Sequence, residues 1–131
     1  MGKTLHLKMD ALVRDLVQAH RQLQEEHELL LVIWHDRGSR KDINLLEVFE
    51  GWPESGIGEL DSYAYGPSAT FPLPGRLHLT LAGPKDFREA CQRGHPLILR
   101  ARADGEIVFE ASAKSRKRSV ESLKKAFHGE S

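Results

Sequence analysis

Cysteine is almost missing from this chain of 131 residues: Cys91 stands alone. One thiol excludes an intrachain disulfide and points to a reducing compartment. Cys91 sits in DFREACQRG, a helical pattern, and is expected to be a small packed side chain. Long apolar runs are missing too. The longest, Leu29 to Trp34, is far shorter than the ~20 residues a membrane span needs. Residues 1–10 hold no long apolar run, so no signal peptide is expected, and the expected location is cytoplasmic. An excess of either charge is absent, since 19 Lys and Arg balance 19 Asp and Glu. Whole-chain electrostatics therefore select no polyanionic partner, and any nucleic-acid affinity would need a local patch.

Several catalytic signatures are also absent. No GxSxG elbow is present to hold a hydrolase nucleophile. Gly56-Ile57-Gly58 lacks the third glycine of a dinucleotide loop and reads as a plain turn. Seven histidines occur, but without HExxH or CxxC spacing, so they are expected to be polar or hydrogen-bonded side chains rather than zinc ligands. His35 and His78 fall on expected strands and would approach one another if those strands were neighbours.

What remains is the makeup of one globular domain, with 40% hydrophobic and 29% charged residues and a length that can bury a core. Residues 9–27 place Met9, Leu12, Val13, Leu16, Val17 and Leu23 on one helical face. Residues 29–35 form a short apolar run bounded by Asp36 and Gly38, and residues 42–50 form a second, so a hairpin is the simplest topology. Residues 51–58 are turn-rich, 60–65 suit an edge strand, and 66–75 carry three prolines. RLHLTLA, residues 76–82, alternates cleanly: Leu77, Leu79 and Leu81 on one side, His78 and Thr80 on the other.

Pro84 opens a helix that Gly94 closes. Residues 95–103 fit either a short helix or a strand. Residues 106–110 form a strand, and Ser115 or Ser119 is placed to cap a last helix to Phe127. The expected fold is α+β: a small mixed sheet flanked by helices, in one domain over residues 1–131.

Two stretches read together carry a family resemblance. The first, residues 38–51, is GSRKDINLLEVFEG; the second, residues 75–111, is GRLHLTLAGPKDFREACQRGHPLILRARADGEIVFEA. They resemble the small nucleotidyltransferase-like domains of bacterial toxin–antitoxin modules. That family runs a strand into Gly-Ser, an Asp-x-Asp strand, and a later strand with a third carboxylate. A helix with a Pro/Glu-Glu-Phe opening and a strand opening on Asp-Gly follow; PKDFREA and ADGEIVFE match these. The resemblance implies a nucleotidyltransferase-like core over residues 29–110, after an N-terminal helix (9–27) and before a basic C-terminal helix (115–127).

The chemistry explains the family pattern. Nucleotidyl transfer develops charge on phosphate oxygens that paired Mg²⁺ ions neutralise, and Mg²⁺ wants carboxylate oxygens. Aspartates at i and i+2 on a strand share one face, roughly 7 Å apart. By resemblance the phosphate and metal contacts fall on Ser39, Asp42, Asn44 and His78. Only Arg40 and Lys41 separate Ser39 from Asp42, which removes the helix N-terminus that would face phosphates. Asn44 replaces the second carboxylate and His78 the third, while Glu47 points away from the Asp42 face.

The C-terminal stretch adds Arg116, Lys117, Arg118, Lys124 and Lys125, a candidate nucleic-acid patch without the aromatics that stack on bases.

Three functional readings follow. The first is a non-catalytic nucleotidyltransferase-like binding or regulatory module, cofactor-free, with a protein partner or a second copy docking on the first helix's apolar stripe or on residues 51–75. The second is a weakly active nucleotide-handling enzyme that uses Mg²⁺, with His78 as extra ligand or base. The third is an α+β protein that contacts nucleic acid through its basic C-terminal helix. None places the chain in a membrane.

Overall fold

The computed structural model describes residues 11, 13–15, 17–18, 27–38, 42–65 and 76–129, apart from the side chains of 64 and 65. The fold is α+β, with one five-stranded mixed sheet between two helical layers. Described residues between 11 and 18 are helical (α1). The strands are β1 (Glu28–His35), β2 (Ile43–Glu50), β3 (Asp61–Tyr65), β4 (Leu77–Ala82) and β5 (Glu106–Glu110). The helices α2 (Pro84–Arg93) and α3 (Pro96–Asp104) separate β4 from β5, and α4 (Lys117–Phe127) follows a 3₁₀ turn at Lys114–Arg116. No described helix is long and apolar enough to cross a membrane.

The sheet order is β3-β4-β2-β1-β5. β1 and β2 form the antiparallel hairpin, β2 and β4 run parallel, and β3 and β5 are antiparallel edges. β1 is buried from Leu29 to His35, as a central strand covered on both faces must be. Its alternation breaks at a bulge between Leu29 and Leu31. Leu29, Val32 and Trp34 then pack with Val13 and Val17 of α1, whereas Leu31 and Ile33 pack toward α2, α3 and α4. Val13 and Val17, the described members of the apolar stripe of α1, are buried in this core; Met9, Leu12, Leu16 and Leu23 lie outside the described residues.

Residues 96–104 resolve as helix. Gly94, left-handed, ends α2 while its N–H bonds Cys91 O, and the His95 N–H bonds Ala90 O. His95 Nδ1 then accepts the Leu97 N–H and starts α3. Pro96 at the first helical position fits the same switch. At the other end of α3, Gly105 N–H bonds Ala101 O at 2.6 Å, so close that a Cβ on Gly105 would lie 2.2 Å from that oxygen. Neither Ser115 nor Ser119 caps α4, whose N-cap position is Arg116 without a side-chain bond.

Two carboxylates organise the loops near the sheet ends. Asp86, buried in the first turn of α2, accepts the N–H groups of Ser55, Gly56 and Gly58 and the Ser55 hydroxyl. Burial alone would raise its pKa; the four hydrogen bonds together hold it below the ordinary value. Gly58 lies against the α2 backbone with φ +73°, so a side chain there would meet Ala90 N at 3.0 Å. Asp104, the last residue of α3, accepts the Asp36 and Arg37 N–H groups at 2.9 Å each and fixes the turn that leaves β1.

Candidate functional site

β-strand alternation sends Asn44, Leu46 and Val48 to the face covered by α2–α4, and Ile43, Leu45 and Phe49 to the α1 face. Glu47, buried, shares the α1 face, opposite Asn44. On β4 the same rule puts His78 and Thr80 beside Asn44. The register then aligns His35, Asn44 and His78 across β1, β2 and β4, because Asn44 pairs with both histidines. Strands ~4.8 Å apart place the two histidine backbones roughly 10 Å from one another.

These side chains line a groove of about 380 Å³ together with Ser62, Thr80 and Arg100, a volume suited to a small molecule. β3 supplies Ser62 opposite Thr80, their hydroxyls 3.3 Å apart. α3 supplies Arg100. Polar residues thus occupy one end of a face that is otherwise apolar.

His35 is 3% exposed. Its Nδ1 lies 3.0 Å from Asp36 Oδ2, which fixes a proton on Nδ1 and leaves Nε2 as an acceptor. Nε2 is buried and has no hydrogen-bond partner among the described residues. Burial lowers the His35 pKa below 6.5, against the pull of Asp36, so the ring is neutral at pH 7. A buried imidazole with one open lone pair beside a polar groove is an acceptor waiting for a donor.

Asp42 lies just before β2. Its Oδ1 accepts the Arg76 N–H at 3.0 Å and its Oδ2 lies 3.3 Å from His78 Nε2. The Arg76 amide first, then His78, hold its carboxyl below the ordinary value. Asp42, Asn44 and His78, singled out from the sequence, are therefore brought together. Ser39 lies outside the described residues. His35, Ser62, Thr80 and Arg100 join the site without having been singled out for it; the sequence offered only a histidine pair that would meet on neighbouring strands, and β2 in fact lies between β1 and β4.

The donor set does not fit a pair of hard cations. It offers one carboxylate already engaged by two donors, one amide and imidazoles, where Mg²⁺ prefers several free carboxylate oxygens. No group of three or more His, Cys, Asp or Glu among the described residues is arranged to hold a metal.

The basic C-terminal residues divide into two sets. Arg116 pairs with Glu28 and Glu50, and Lys124 with Glu110 and Glu121. Lys117, Arg118 and Lys125 face a different groove, shared with α2. Cys91 is buried and its thiol is pushed up to about 11 by that burial, so it stays protonated at neutral pH. The chain matches no protein-family model, no curated protein and no solved structure.

Proposed function

We propose that this chain is a non-catalytic binding or regulatory module on a nucleotidyltransferase-like plan, whose groove takes a small anionic ligand. One observation carries the reading: His35, Asn44 and His78 stand in one row over the parallel β2–β4 pair, with Asp42 the only carboxylate on the expected metal positions. By the resemblance, Asn44 and His78 of this row take the second and third carboxylate positions and neither is an acid, while His35 lies outside that pattern. Arg100 supplies a cation for an anionic group, Asn44 and Thr80 supply neutral hydrogen bonds, and His35 Nε2 accepts a donor. Binding of this kind needs no metal.

A nucleoside monophosphate is the first probe. Amide chemical shifts followed during titration with AMP, with and without Mg²⁺, are expected to move at residues 35, 44, 78 and 100 equally in both. His35→Ala is expected to weaken binding. A parallel incubation with ATP and Mg²⁺ is expected to give no nucleotidyl transfer to the protein or to added nucleic acid. Metal-dependent transfer that Asp42→Ala abolishes would overturn the reading, as would unchanged shifts at all four positions.

A further inference from the structure

Between α2 and α4 lies a groove of about 1030 Å³ on the outer surface of the α2–α4 layer. Cys91 and Ala126 are the apolar members of its lining, and the Phe87–Phe127 ring pair, centroids 6.4 Å apart, is buried in the core between the same two helices. Its rims are basic. α4 contributes Lys117, Arg118 and Lys125, and α2 contributes Arg88. None of these four makes an ion pair among the described residues, whereas Arg116, just before α4, and Lys124 within it are neutralised by Glu28, Glu50 and Glu110. The fold has sorted the cations: paired ones face the sheet, unpaired ones the groove. Arg102 lines it too, but its guanidinium donates to Phe127 O, Ala126 O and Cys91 O, holding the helix ends together. Among the described residues Glu121 is the only acid lining the groove, and Lys124 lies 4.0 Å from it.

In a chain of zero net charge, four cations with no ion pair among the described residues, gathered around one concavity, are a local positive field. Arg118 and Lys125 are seven residues apart on one helical face, which separates them by ~10 Å along the axis. That spacing suits two separate phosphates of one strand, reached by long flexible side chains, rather than one compact anion. Among the described residues no aromatic ring lines the groove, so contact is to backbone and not to stacked bases. We infer that the α2–α4 groove binds the phosphate backbone of a single-stranded nucleic acid without sequence preference. This site is separate from the His35–His78 groove, and the inference stands whether or not that groove binds a nucleotide.

The test is fluorescence anisotropy of the full chain with labelled mixed-sequence 20-mers of RNA and of DNA, single-stranded and duplex, over a salt series. Single strands of at least one sugar type are expected to bind at low salt. With four contacts, log K should fall against log salt with a slope near about −3. The Arg118→Glu, Lys125→Glu double variant is expected to weaken binding more than about tenfold and to flatten that slope by about 1.4. Arg118→Lys should retain affinity. Arg116→Ala and Lys124→Ala, which remove paired cations, should change it by no more than about twofold. Absence of binding at low salt, tighter binding of duplex, or an equal loss in the paired-cation variants would each overturn the inference. All of these substitutions are at the surface, and circular dichroism verifies that each variant is folded.

Discussion

His78 Nε2 lies 3.3 Å from Asp42 Oδ2, with β4 and β2 parallel and in register beneath them. In the proposed reading His78 stands at the third carboxylate position, beside Asp42, and Asn44 at the second. If that placement descends from a nucleotidyl-transfer site, restoring the acids should restore a cation site. The Asn44→Asp, His78→Asp double variant is expected to bind Mn²⁺ or Mg²⁺ at millimolar concentration, with a rise in Tm on adding metal. The wild-type chain is expected to show no saturable heat in the same calorimetric titration. A double variant that is folded and equally indifferent to both cations would count against a shared plan.

Stability should depend on pH through His35. Its folded pKa lies below its unfolded value of 6.5, because burial disfavours the charged ring. The unfolded state therefore binds more protons between the two values, and stability falls as pH drops below 6.5. Above 6.5 the contribution is fully present. His35→Gln should flatten this part of the profile. Urea midpoints measured from pH 8 to pH 5 would decide it; an unchanged slope in the variant would mean that another group titrates.

Asp86 ties residues 55–58 to α2 through four hydrogen bonds. Asp86→Ala leaves those donors without their acceptor and is expected to cost about 2 kcal/mol or more in urea unfolding. Because the folded pKa is depressed, this stabilisation is present above pH 3.8 and is lost as pH falls through the folded value. Asp86→Asn should lose less at neutral pH, since its amide oxygen still accepts.

Gly105→Ala tests the tight junction between α3 and β5. Its φ is −72°, so the backbone conformation is open to any residue. The obstacle is the Ala101 carbonyl, 2.2 Å from the added Cβ, and relieving it must move α3 against Ile33 of β1. A loss of about 1–3 kcal/mol is expected by thermal or urea unfolding. A neutral outcome would show that the end of α3 yields easily.

Much of the fold can be read along the chain because it rests on local physics. The clean alternation of residues 77–82, the hairpin around residues 36–38 and the Pro84–Gly94 punctuation of α2 all depend on neighbours a few residues apart. Residues 95–103 fit helix or strand from the sequence because α3 alternates apolar and basic side chains at a short length, and its start is settled by His95 folding back on Leu97 N–H. The convergence of Asp42, Asn44 and His78 was legible only through the family resemblance. The place of His35 in the same row was not, since it requires β1 to lie beside β2 in one particular register.

The sequence by itself determined the α+β class, most strand and helix positions, and the presence of an amide and an imidazole, Asn44 and His78, on the strands beside Asp42. Tertiary structure alone decided which charges remain available. Pairing depends on side chains brought together from distant parts of the chain, so Arg116 is neutralised by Glu28 and Glu50 while Arg118, two residues on, is left facing a groove. It also decided that His35 is buried with an open acceptor: desolvation is set by the layers packed over a residue, and no local pattern in the chain encodes those layers.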